Sequence, residues 1–121
     1  MIVRHVSIFT AIRTIIGWGI KEVAPIVDGC CGFACYDNNI ITRIVIIKYE
    51  PGDMARLVLC IERNPTSSIQ SFIAEMYTMV KSKIIYTICS PSNPVLNDLK
   101  TALQWTESKM MTGDVKLVHS R

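Results

Sequence analysis

Leu57-Val-Leu-Cys-Ile-Glu-Arg-Asn-Pro-Thr-Ser-Ser-Ile-Gln-Ser71 is the stretch whose reading decides the fold. Five apolar residues, Leu57 to Ile61, are bounded by Arg56 and Glu62, and they predict a buried strand. A polar turn follows, Arg63-Asn-Pro-Thr-Ser-Ser68. Apolar residues then recur at helical spacing: Ile69, Phe72, Ile73, Met76 and Val80. Ser67 with Gln70 reads as an S-x-x-Q capping box. A helix that starts at the end of a central strand points free backbone N–H groups at whatever lies there, which suits an anion or phosphate.

Working outward from this stretch, Ile40 to Tyr49 is apolar on both faces apart from Thr42, Arg43 and Lys48, as a central strand should be. Asp37-Asn38-Asn39 before it predicts a tight hairpin turn to a strand over Asp28 to Tyr36. Glu50-Pro51-Gly52-Asp53 after it is a second turn, with Pro and Gly in type II positions, leading into a strand over Met54 to Ile61. These three strands read as an antiparallel meander. At the N-terminus, Ile2 to Val6 predicts a short strand. Ile8, Phe9, Ile12, Ile15, Ile16 and Ile20 then follow at helical spacing, with Gly17-Trp18-Gly19 loosening the end.

On the C-terminal side the long helix runs from about Ser68 to Lys81, with Lys81 and Lys83 suiting its C-terminal dipole. Lys83 to Cys89 is the next strand. It is expected parallel to Met54–Ile61, because a helix crosses between them. In Ser90-Pro91-Ser92-Asn93-Pro94, Asn93 is expected as N-cap and Pro94 as first helical residue. Val95, Leu96, Leu99, Ala102 and Leu103 give that helix one apolar face. A last strand, Val115 to His119, follows a turn at Thr112-Gly113-Asp114. The order is β-α-β-β-β-α-β-α-β, an α+β chain whose mixed central sheet is flanked by helices.

With 121 residues, residues 1–121 are read as a single domain with a genuine core. Hydrophobic residues make up 50%, but no run reaches the roughly 18 needed for a membrane span. The excess suits a doubly covered sheet, a homo-oligomer interface or a protein partner. Met1 to Ile20 superficially resembles a signal peptide, yet Arg13 interrupts it and no small-x-small site follows, so it is read as mature structure. The net charge of +3 is spread without a basic run, so nucleic acid is not an expected partner. Cys30, Cys31, Cys35, Cys60 and Cys89 form no C-x-x-C, and the two His lie at opposite ends, so no metal site is expected. The cysteines read as reduced, buried thiols of an intracellular, cytoplasmic protein.

These residues together resemble the GCN5-related N-acetyltransferase (GNAT) superfamily, in a short and divergent form similar to members found in bacteriophage genomes. Gly32-Phe33-Ala34-Cys35-Tyr36-Asp37-Asn38-Asn39-Ile40-Ile41 is similar to the family's GF-x-x-x-D-x-x-x-I hairpin. Leu57 to Val80 matches its acyl-CoA-binding core. Asn93-x-x-Leu96-x-x-Leu99-Lys100-x-x-x-Gln104-Trp105 falls in register with N-x-x-A-x-x-L-Y-x-x-x-G-F, with Lys100 and Gln104 departing from it.

The resemblance implies acetyl-CoA as cofactor, bound where the two middle strands splay apart, and an amine as acceptor. The pantetheine arm would follow Leu59, Cys60 and Ile61. The diphosphate would sit on Arg63, Thr66, Ser67 and Ser68, with Asn93 nearby. The family turn R/Q-x-x-G-x-G/A has lost both small residues here, to Thr66 and Ser68, and Pro65 removes one N–H.

Glu62, at the strand end, is the expected base for the amine. The competing reading is a solvated strand-end residue. Lys100 stands where many members carry a tyrosine that protonates the leaving thiolate; otherwise it is the polar face of its helix. Tyr77 and Tyr86 are alternative hydroxyls or packing residues. Cys60 and Cys89 are conceivable acyl carriers without a His neighbour. Trp18 lines an acceptor site or packs on the core.

The degenerate turn and missing tyrosine leave an alternative: a non-catalytic structural or interaction module on the same fold, such as a phage virion part or a host-interacting protein. Shortness for the family suggests a last hairpin trimmed or completed by a partner. A third reading is a ribonuclease H-like nuclease, with Asp28 and Glu75 as metal carboxylates. It lacks a further carboxylate at Cys89-Ser90.

Overall fold

Val45 and Ile47 of the central strand face one core, while Ile44 and Ile46 face another, and all four are fully buried. That alternation, period two with both faces apolar, makes a sheet covered on both sides. The computed structural model describes residues 1–20, 29–93 and 95–120. The elements are β1 (Ile2–Val6), α1 (Ile8–Gly17), β2 (Cys30–Asp37), β3 (Ile40–Glu50), β4 (Met54–Glu62), α2 (Ile69–Met79), β5 (Ile84–Cys89), α3 (Leu96–Ala102), β6 (Thr106–Lys109) and β7 (Val115–Ser120). The seven strands lie in the order β1-β2-β3-β4-β5-β7-β6. β4 and β5 are parallel, and every other neighbouring pair is antiparallel.

The mixed sheet and its flanking helices are as expected, with one strand more. Thr106–Lys109 was not foreseen as a strand, because Thr-Glu-Ser-Lys is polar and exposed throughout and carries no alternation. It is paired to β7 at the sheet edge. The closing hairpin of β6 and β7 is therefore short.

One core packs α2 and α3 against the sheet through Phe72, Ile73, Met76, Leu96 and Leu99. The other packs α1 through Ala11 and Ile15. α1 reaches the sheet because position 32 is glycine. A Cβ there would meet Ala11 Cβ at 3.0 Å and Val6 Cγ2 at 3.1 Å.

The hairpin turn forms as expected, with Asn38 at φ +52° and Asn39 at φ +65°, the positive-φ pair that a two-residue loop demands. Gly52, at φ +84°, fills its place in the next turn, and Asp53 follows it at φ +58°.

Two caps differ from expectation. α2 is capped by Ser68, whose hydroxyl accepts from the Ser71 amide at 3.1 Å, not by Ser67. Ser67 is committed elsewhere, and Gln70 donates instead to the Thr101 hydroxyl at 2.7 Å. α3 begins at Leu96 with no side-chain cap, and Asn93 Oδ1 accepts from the Val95 amide in the turn before it. Asp28 and Pro94 lie outside the described residues.

Candidate functional site

β4 and β5 pair only at Met54↔Ile84, Ala55↔Ile85 and Arg56↔Tyr86. Beyond Arg56 the two strands part, while β4 stays paired with β3 as far as Glu62. The register supplies the reason. Ile47 faces Leu57 and Ile46 faces Leu59, so Val58 is an extra residue, a β-bulge on β4 that turns its free edge away from β5. The Thr87 hydroxyl donates to the Leu57 carbonyl at 3.0 Å and closes the apex. The opening is a cavity of about 80 Å³ whose lining includes Leu59, Cys60, Thr87, Cys89, Asn93 and Leu99. Leu59, Cys60 and Asn93, three of the residues expected to meet a coenzyme, thus come together at one cleft.

The turn at the end of β4 has a structure that local sequence did not announce. Asp37, buried at 6% exposure, reaches it from the end of β2. Its Oδ2 accepts from the Thr42 hydroxyl at 2.7 Å, the Ser67 hydroxyl at 3.0 Å, and the Thr66 and Ser67 amides at 3.3 and 3.4 Å. The Thr42 bond foremost, then those from Ser67 and Thr66, hold the Asp37 carboxyl down at about 2, against the opposing effect of burial.

Arg43, 3% exposed, is the second concealed residue. It donates through Nε to Glu62 Oε2 at 2.9 Å, through Nη1 to the Ser67 hydroxyl at 3.1 Å, and through Nη2 to the Ser67 carbonyl at 2.6 Å. Its guanidinium also lies over the Phe72 ring at 6.0 Å. A charged residue inside an otherwise apolar central strand must find partners, because an unpaired buried charge is too costly. That was the one signal in the sequence that could have pointed to it.

Glu62 is thus an ion-paired, partly exposed carboxylate two residues beyond Cys60, on the same face of β4. Arg63 and Thr66 are exposed. With Trp18, Asn38, Ile41 and Asn64 they border a separate hollow of about 400 Å³ at this end of the sheet. Ile61 packs toward α1, so its side chain is core. Ser67 is turned inward and Ser68 caps α2.

Lys100 is not brought to the cleft. It pairs with Glu107 of β6 at 2.9 Å and borders a shallow hollow with Gln104, Trp105 and His119. Neither tyrosine substitutes for it. Tyr86 donates to Glu50 beside the paired end of β4, and burial, together with that bond, raises its pKa. Tyr77 packs edge-on against His119. Burial, then the nearby Glu62 charge, pushes the Cys60 thiol up to about 12. All five cysteines are free. A thiol so reluctant to ionise is a poor acyl carrier. Glu75 is exposed on α2, and no group of His, Cys, Asp and Glu suited to a metal occurs among the described residues. Asp28, the other carboxylate of the nuclease reading, lies outside the described residues.

The fold as a whole is similar to that of several solved acetyltransferase structures. A Bacillus cereus IAA acetyltransferase superposes with a TM-score of 0.77 at 5% identity, covering 99% of both chains. The fold is that of the GCN5-related N-acetyltransferases. The Thermoplasma acidophilum PaiA N-acetyltransferase, solved in complex with coenzyme A, covers all of both chains with a TM-score of 0.71 at 9% identity. The GNAT domain of Streptomyces lividans PAT gives 0.67 at 13% identity, over 98% of this chain and 89% of that one. No family profile and no curated protein matches the sequence. No helix among the described residues is long and apolar enough to cross a membrane.

Proposed function

We propose that this GNAT-fold protein binds acetyl-CoA at the β4–β5 cleft and transfers the acetyl group to an amine. The observation that carries the reading is the splay at the Val58 bulge. It leaves the β4 main chain from Leu59 to Ile61 without a β5 partner while its other edge stays paired with β3. An extended amide-containing arm is the chemical complement of such an edge. Leu59, Cys60 and Ile61 would hold the pantetheine, with Asn93 at the rim. Arg63, Thr66, Ser68 and the first-turn amides of α2 would hold the diphosphate.

When bound, the coenzyme supplies an activated thioester. The chain supplies position, exclusion of water from the cleft, and a proton acceptor. Glu62 is that acceptor. Arg43 fixes its Oε2, and Oε1 would take the proton of an amine, directly or through a water. Trp18 and the hollow beside Arg63 would take part of the acceptor. Isothermal titration with acetyl-CoA tests the reading. Saturable binding is expected, and no heat at millimolar ligand overturns it.

A second reading is favoured by Lys100. The position that would protonate the leaving thiolate is tied to Glu107, away from the cleft. A non-catalytic interaction module on the same fold fits that arrangement, and it fits the exposure of Phe9 and Ile16 on α1. A monomer that turns over acetyl-CoA excludes it. An oligomer or a stable complex without turnover supports it.

A further inference from the structure

The carboxylate of Asp37 sits where an anion belongs. A turn of this kind presents successive N–H groups that together make an anion-binding concavity. Here the Thr66 and Ser67 amides, with the Thr42 and Ser67 hydroxyls, converge on a single oxygen supplied from β2, 29 residues away in the chain. From the opposite side Arg43 grips the Ser67 carbonyl. The backbone of the turn is therefore clamped at both its donors and its acceptor by buried charges. Asn64 sits at φ +49° inside it, a left-handed conformation that asparagine tolerates better than most residues. Thr66 and Ser68 occupy positions that would be most easily shaped by small residues, and the clamp does that shaping instead.

We infer that Asp37 is the positioning residue of this turn: its carboxylate holds the Thr66 and Ser67 amides inward, preforms the turn without a ligand, and leaves a diphosphate the outer donors, Arg63, the Thr66 and Ser68 hydroxyls and the first-turn amides of α2. The last part rests on the coenzyme-binding reading; the first part does not.

The two parts separate in one experiment. Asp37→Ala removes the carboxylate and leaves its donors unsatisfied, at a site shaped for a small anion. Thermal melting is followed against formate, with chloride at equal ionic strength as control. Formate is expected to raise the melting temperature of the variant saturably and to leave the wild type unmoved. Acetyl-CoA should bind the variant about tenfold or more weakly, with formate restoring the affinity, because a preformed turn is lost and then refilled. S-acetylpantetheine, which has no diphosphate, should bind variant and wild type alike. A merely structural role would weaken both thioesters together.

Where Asp37→Ala does not fold, Asp37→Asn carries the test through amide hydrogen exchange. Thr66 and Ser67 should exchange faster, while the Ser71 amide, capped by Ser68, stays as it was. The inference is overturned if formate shifts neither protein or both equally, if the variant binds acetyl-CoA as well as or better than wild type, or if all three amides loosen together. Formate rescue with no thioester binding to the wild type supports the role of Asp37 in the turn and overturns the coenzyme reading.

Discussion

Asp37 and Arg43 are the two residues on which the site depends, and each tests a different kind of charge burial. The Asp37 carboxyl is held at about 2, below its usual 3.8, so it contributes stability that is complete above the unfolded value. That stability is lost as pH falls from about 4 to about 2. Asp37→Asn should therefore flatten the acid limb of stability in that window, as read by urea unfolding at a series of pH values. An unchanged limb refutes the assignment.

Arg43→Met strands a partly buried Glu62 carboxylate and the Ser67 carbonyl together. A loss of about 3 kcal/mol is expected by denaturant unfolding, at the lower end for breaking a buried pair. Glu62→Gln should lower turnover about 100-fold while the affinity for acetyl-CoA stays within about twofold, as expected of a general base outside the coenzyme contact. A parallel loss of binding contradicts that role. Apart from the charge of Arg43 inside an apolar strand, this network was not legible in the local sequence. Asp37-Asn38-Asn39 reads as a turn and is one, and the partners of Asp37 in the turn lie 29 and 30 positions on, where no spacing encodes them.

At the scale of elements, hydrophobic periodicity located β3, β4 and α2 to within a residue or two, and α1 at its start. Each buries a regular apolar face, and burial is what periodicity reports. β6 escaped because an edge strand of Thr, Glu, Ser and Lys buries nothing. The Val58 bulge escaped for the opposite reason. Leu57 to Ile61 is apolar at every position, so an added residue leaves no mark in the pattern, yet it creates the cleft. The shift of the α2 cap from Ser67 to Ser68 follows from Ser67 being claimed by Asp37 and Arg43, a tertiary demand that outbids a local capping box. The apex of the cleft can be tested on its own. Thr87→Val keeps the side-chain volume but deprives the buried Leu57 carbonyl of its donor. A cost of about 1–2 kcal/mol by urea unfolding is expected. No change in stability shows that the apex bond is immaterial.

Across the whole molecule, the sheet is buttressed by two separate cores that share strands β1 to β4 as their wall. The Gly32 contact shows how closely one of them is set. Adding a methyl there pushes on Ala11 and Val6, so Gly32→Ala should cost about 1–3 kcal/mol by overpacking between α1 and the sheet. The fold was legible because strand order and helix crossings follow from patterning over the whole chain. The site was legible only in part, because its shape comes from a bulge and from two charges buried between distant segments.

The central claim is that the β4–β5 cleft receives a coenzyme. Titration calorimetry of acetyl-CoA against wild type and Cys60→Trp tests it most directly, since Cys60 lines the cleft and an indole there would fill its roughly 80 Å³. Saturable one-to-one binding to the wild type, abolished in a Cys60→Trp protein that still unfolds cooperatively, is the expected result. Absence of binding to the wild type at millimolar ligand, or equal binding to both proteins, contradicts it.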